Sequence, residues 1–206
     1  MNSHRDISES AICMNRFTGL LSAHVCVSYI FKRILDGVDT NEWISVKMVD
    51  LYSELSVLCN AVSEFCTTYS CPVMRAGQYY EYGWADPSCA ELSAPVFVSA
   101  PKYMELLMTW VDANLTQEGS DNSRTNAGAF TINAKIFCRR LFRVYAHLFC
   151  EHPEEIETID LHIKYSLSHF LIFMREFGLL VSETEIEPIR SIIRDLGIPS
   201  LDFAPH

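Results

Sequence analysis

The chain has 206 residues, an apolar fraction of 49%, and 12 Phe, 9 Tyr and 3 Trp, which excludes wholesale disorder and allows a substantial core. Its 26 acidic and 16 basic residues give a formal charge of −10, which repels nucleic-acid phosphates and attracts basic protein segments. The polar start MNSHRDISES is unlike a secretory signal, and the greasiest stretch, Leu20 to Phe31, is too short to cross a bilayer, so no membrane insertion and a cytoplasmic location are expected.

Residues 10 to 35 read as a weakly periodic helix within an amino-terminal arm (1–38), ahead of a helical domain over 39–206. Asp39, with Glu42 three residues on as in a capping box, precedes a periodic segment from Trp43 to Phe65. Ile44, Met48, Leu51, Leu55, Leu58, Val62 and Phe65 step by four and three and form one seam. Between Cys71 and Ser99 the helical period lapses, and Gln78 to Tyr82 alternates as a short β-hairpin would. A second helix starts near Pro101, with Tyr103, Leu107, Trp110 and Val111 inward. Glu118 to Gly128 reads as a loop. A third helix spans Ile132 to His152, with Phe137, Leu141, Val144 and Leu148 inward and Pro153 ending it. A fourth spans Ile156 to Phe177, with Ile159, Ile163, Leu167, Phe170 and Met174 inward and Gly178 as its cap. A short helix from Glu185 to Leu196 closes an all-α bundle with one irregular insertion.

In a reducing compartment the 8 Cys are buried thiols or metal ligands. Cys66 and Cys71, with His147 and His152, supply the donors of a Cys2His2 zinc site. The 72–146 span between the pairs is far longer than a zinc finger allows, so the ion would clip the end of the first long helix to the end of the third. Residues five apart on a straight helix diverge by about 140°, so sharing an ion requires the last turn before Pro153 to unwind. The plain alternative is four ordinary residues among many Cys and His. Cys150 is a possible substitute ligand, and His162 and His169 read as surface residues.

Lys135, Arg139 and Arg143 recur at i, i+4 on the third helix, opposite its apolar seam, with Arg140 on the flank. Like charges so spaced repel unless an anion or acidic side chain sits on them, and guanidinium groups bind phosphate oxygens well. A solvated helix face is the alternative. On the first long helix Trp43, Lys47, Asp50 and Glu54 lie within about 60° of one another. This stripe suits a basic, partly apolar partner helix, unless Trp43 merely extends the core.

The strings NEWI (41–44), EFC and CPVM (64–74), YEYGWAD (80–86), SAPKY (99–103), LMTWV (107–111), RRLFRVYAH (139–147), and HF with EF (169–177) occur in the order seen in the Mob (Mps-one-binder/phocein) kinase co-activators. From Thr40 onward the chain resembles that family. The resemblance implies a helical bundle with one structural Zn2+ on Cys66, Cys71, His147 and His152, no catalysis, and a monomer when free. It further implies an adaptor in growth or cell-division signalling, located in the cytoplasm, with the nucleus or spindle pole as further sites. An NDR/LATS-type AGC kinase would place its amino-terminal region on Glu42, Trp43, Asp50 and His169. Phosphothreonine segments of upstream Ste20-type (Hippo-type) kinases would bind Arg139, Arg140 and Arg143. A phocein-like scaffold subunit of a kinase/phosphatase complex is the alternative role.

Departures from the family pattern are also visible. The segment between Asp86 and Ser99 carries Glu91 and none of the lysines that support phosphate binding in the family. Residues 1–38 do not match its regulatory arm, and 116–130 lack its Phe-Pro-rich stretch. A zinc hydrolase would need an open coordination position and a nearby base, and the chain has no His-Glu-x-x-His. Duplex binding is opposed by the net charge.

Overall fold

The computed structural model describes residues 39–86, 94–118, 127–159, 161–179 and 182–196. The helix expected over 10–35, and the arm containing it, lie outside the described residues.

Helix α1 covers Thr40–Ala61, and Asp39 caps it by accepting from Asn41 N–H at 2.8 Å. Its seam is buried from Ile44 to Leu58, and Val62 just beyond the helix is buried too. Phe65, expected to continue that seam, is 50% exposed because the helix stops at Ala61 and the chain turns away. A two-stranded antiparallel hairpin follows, β1 (Arg75–Ala76) and β2 (Tyr80–Glu81), with Gly77 at a φ of 66° in its turn. Helix α2 is Ala100–Glu118, and Tyr103, Leu107 and Val111 are buried as expected.

Helix α3 (Ala127–Glu151) is the axis of the bundle and packs against α1, α2 and β1. It starts earlier than the sequence suggests, with Ala127 and Gly128 helical. From Phe137 to Phe149 it is buried on nearly every side, the pattern of a helix enclosed by others. Pro153 does not simply end it. Helix α4 (Pro153–Ile159) starts on that proline, where a missing N–H leaves no helical bond unmade.

The expected fourth helix is covered by α4 and α5 (Leu161–Glu176), which flank residue 160, a position outside the described residues. Gly178, at φ 63°, closes α5: Gly178 N–H reaches the Arg175 carbonyl and Leu179 N–H the Met174 carbonyl, the paired bonds of a Schellman cap. Helices α6 (Glu183–Ile186) and α7 (Arg190–Asp195), joined by a 3-10 turn at Glu187–Ile189, lie where one short helix was expected. No helix among the described residues is long and apolar enough to cross a membrane.

Hydrogen bonds tie these elements at specific points. Tyr145 and Ser166 hydroxyls meet at 2.6 Å, and Ser166 donates to Glu54 at 2.8 Å, which satisfies polar groups inside the α1–α3–α5 contact. Tyr52 on α1 donates to Asp112 on α2 at 3.0 Å.

Candidate metal centre and charged surfaces

After α1 the backbone keeps one more helical bond, Cys66 N–H to Val62 O at 2.8 Å, which fixes Cys66 beneath the helix end. A compact loop then returns to Cys71, braced by Ser70, whose hydroxyl donates to Phe65 O at 2.6 Å and accepts from Thr67 N–H at 2.9 Å. The Cys71 carbonyl accepts from Ala100 N–H at the start of α2. Both thiols therefore sit on a loop anchored to two helices.

The opposing donors come from α3. Between His147 and His152 the helix does not unwind for a turn. The break is confined to His152, whose N–H still reaches Leu148 O and whose carbonyl still accepts from Ile156 N–H, each at 3.0 Å. One irregular residue is enough to turn the two imidazoles toward each other, with ring centroids 5.3 Å apart.

Cys66 Sγ lies 3.4 Å from His147 Nε2, and Cys71 Sγ lies 3.4 Å from His152 Nε2. The four donor atoms are all within 4.8 Å of one another, and all four residues are buried. With Zn–S near 2.3 Å and Zn–N near 2.0 Å, a tetrahedral ion holds its S and N donors about 3.5 Å apart. The residues present fit such an ion.

The surroundings complete the fit. His147 Nδ1 donates to the Arg75 carbonyl at 2.7 Å, which leaves Nε2 as the lone-pair nitrogen facing Cys66. Glu151, next to His152, accepts from Arg75 Nε at 3.0 Å and from Gly77 N–H at 2.9 Å, pinning the hairpin over the site. Burial, and then Cys71, push the Cys66 thiol up, while burial holds His147 down to about 4. A bound cation reverses the thiol preference, because the ligand is the thiolate. Cys150 does not join this cluster. Its Sγ faces the Pro188 carbonyl at 3.6 Å, and burial raises it to about 11.

The basic residues of α3 divide into two environments. Arg140, placed on the flank by helical spacing, is only 6% exposed. Its guanidinium lies 4.1 Å from the Trp84 ring centroid and 4.2 Å from that of Trp110, and Nη2 donates to the Ala85 carbonyl at 2.6 Å. Arg139 and Arg143 instead converge on Glu185 of α6. Arg143 donates through Nε and Nη2 to Oε1, and Arg139 Nε lies 3.3 Å from Oε2. Lys135, a turn earlier, is exposed.

On α1, Glu42 and Asp50 are exposed, and Asp50 accepts from Lys47 at 3.2 Å. Trp43 is half-buried and stacks on Phe177 at 5.0 Å, so it does extend the core while keeping one edge outward. Glu54 turns inward to Ser166. His169 is half-buried rather than a surface residue, and the side chain of His162 lies outside the described residues.

A sequence model of the Mob1/phocein family matches residues 33–189. The chain belongs to that family. It is 37% identical over 172 residues to "MOB kinase activator-like 1A" of Arabidopsis thaliana, covering 81% of this chain and 79% of that protein. It is 38% identical over 165 residues to "MOB kinase activator-like 1 homolog A" of Dictyostelium discoideum, covering 78% and 76% respectively.

Two features of this Mob1/phocein chain escaped the sequence reading. Glu185 meets the arginines from 42 residues beyond Arg143, and nothing local signals that pairing. Val46, Val49 and Val57 are exposed on α1, Val57 at 68%, and helical spacing aligns them within about 80° beside Asp50. Exposed valines on a helix that already buries a full seam were the available signal.

Proposed function

We propose that this chain is a non-catalytic adaptor and co-activator of a protein kinase, built on a Cys2His2 Zn2+ scaffold. Its α1 face, with Glu42, Trp43, Asp50 and the valine stripe beside His169, takes the basic amino-terminal regulatory region of an NDR/LATS-type AGC kinase. Its α3 face, with exposed Arg139 and half-buried Arg143 around Glu185 and Arg140 locking the wall behind them, takes phosphothreonine segments of an upstream Ste20-type (Hippo-type) kinase. The setting is growth or cell-division signalling in the cytoplasm.

The observation that carries this reading is the match along most of the chain to relatives named kinase activators. The surface chemistry supports it. An apolar stripe flanked by carboxylates suits a basic amphipathic helix, and an arginine pair suits a phosphate. A role without catalysis is supported by the donor set, since four protein ligands fill a tetrahedral sphere and leave no position for a reacting water.

Affinity purification of the full chain, followed by identification of the co-purifying kinase and assay of its activity with and without this chain, tests the proposal. A bound AGC-type kinase whose activity rises is expected. Recovery of a phosphatase assembly with no kinase activation would replace it with the scaffold role.

A further inference from the structure

Ser182 stands at the start of α6, exposed, and its hydroxyl makes no capping bond to the helix backbone. Instead Ser182 Oγ meets Thr184 Oγ1 at 2.9 Å and donates to Glu185 Oε2 at 3.4 Å, the same oxygen that lies 3.3 Å from Arg139 Nε. The hydroxyl and the guanidinium are thus at most two hydrogen-bond lengths apart, and a phosphoryl group on Oγ carries its oxygens across most of one of them. Glu183 and Glu185 follow at positions +1 and +3, an acidic context that suits a kinase selecting its substrate by charge.

We propose that Ser182 is a phosphorylation site whose phosphate occupies Arg139 in cis and closes the basic face of α3 to phosphothreonine segments. The closure, though not the contact, rests on the phosphothreonine reading of that face. The modifying reaction is transfer from ATP by an acidophilic serine kinase. The Ser182 hydroxyl oxygen forms a bond to the γ-phosphorus, the bond to the bridging oxygen breaks to release ADP, and the hydroxyl proton passes to that kinase's base.

Charge favours the closed arrangement. Glu185 keeps Arg143 through its two bonds to Oε1, while Arg139, with its side chain 52% exposed, is free to turn to the new anion, and exposed Lys135 adds a further cation. A phosphoserine of about −1.5 to −2 neutralises the surplus that Glu185 leaves. An incoming phosphothreonine would then meet an occupied site whose positive charge is cancelled by the phosphate with Glu183 and Glu185.

The test uses the full chain with phosphoserine installed at position 182, alone and combined with Arg139→Gln. By 31P NMR the phosphate, its pKa raised by Glu183 and Glu185 and lowered by Arg139, is expected to ionise at lower pH in the otherwise unchanged chain than with Arg139→Gln. A phosphothreonine peptide is expected to bind the phosphorylated chain at least tenfold more weakly than the unmodified one, with Ser182→Ala leaving affinity unchanged. Treatment with ATP and an acidophilic serine kinase is expected to place phosphate on Ser182 by tandem mass spectrometry.

A phosphate titration unmoved by Arg139→Gln overturns the contact. Unchanged peptide affinity overturns the closure, and phosphate found only elsewhere overturns the assignment of the residue. Should the unmodified chain bind the phosphothreonine peptide no better than its unphosphorylated twin, the phosphothreonine reading itself fails and takes the closure with it. The 31P titration still decides the contact in that case.

Discussion

Cys66 Sγ lies 3.4 Å from His147 Nε2 although 81 positions separate the two residues. A link across so long a loop restricts the unfolded chain more than a local one would. An ion held by these donors would also fix the end of α1 to the end of α3, the two helices that carry the oppositely charged surfaces.

Replacing any one of the four donors should therefore loosen the whole bundle. Cys71→Ala or His147→Ala should release the metal and destabilise the fold by several kcal/mol, given that structural zinc contributes about 10–16 kcal/mol in zinc-finger peptides. Cys150→Ala, outside the cluster, should retain the metal. Metal analysis and thermal melting of the three variants check this.

Arg139 and Arg140, adjacent in sequence, should behave differently. Arg140→Ala empties the space between Trp84 and Trp110 and strips the Ala85 carbonyl of its donor, which should cost about 2–3 kcal/mol. Arg139→Ala removes an exposed ion pair and should cost no more than about 1 kcal/mol. Preference for a phosphothreonine peptide should nevertheless vanish with Arg139→Ala. Denaturation midpoints paired with peptide titration separate the two roles.

His169 gives the fold a pH dependence of known sign. Burial, then Lys47, lower it to about 4 against the opposing pull of Asp50. Below about 6.5 the unfolded chain takes up a proton that the folded chain refuses. This contribution is complete above pH 6.5 and is lost as pH falls toward 4. His169→Gln should flatten the fall of the melting temperature over that window relative to wild type, a difference from which the shared titration of the other histidines cancels.

On α1, Val49→Asp or Asp50→Lys should weaken capture of a basic kinase segment about tenfold while changing stability by less than about 0.5 kcal/mol, since both side chains are exposed. Isothermal titration with the segment against each variant measures the effect.

The buried seams of α1, α2 and α3 were legible because one-sided burial imposes a 3.6-residue period. The cluster of Cys66, Cys71, His147 and His152 was legible because its residue types are few and each pair, of cysteines and of histidines, is close in sequence. What failed were places where distant contacts decide. Phe65 leaves the seam because the chain must turn to present Cys66. Arg140 is buried because the Trp84 segment, remote in sequence, folds over it, and a helical wheel of α3 carries no trace of that. Glu185 was invisible as a partner for the same reason. The His147–His152 geometry was anticipated in kind but overstated in extent, because one residue of irregular backbone suffices where a whole turn was expected.

The metal content of the purified, folded full chain is the most direct measure of the central claim, that one ion joins α1 to α3. One zinc per chain is expected, with its removal by a chelator melting the helical circular dichroism signal. A chain that retains its cooperative melt with no metal bound would contradict it.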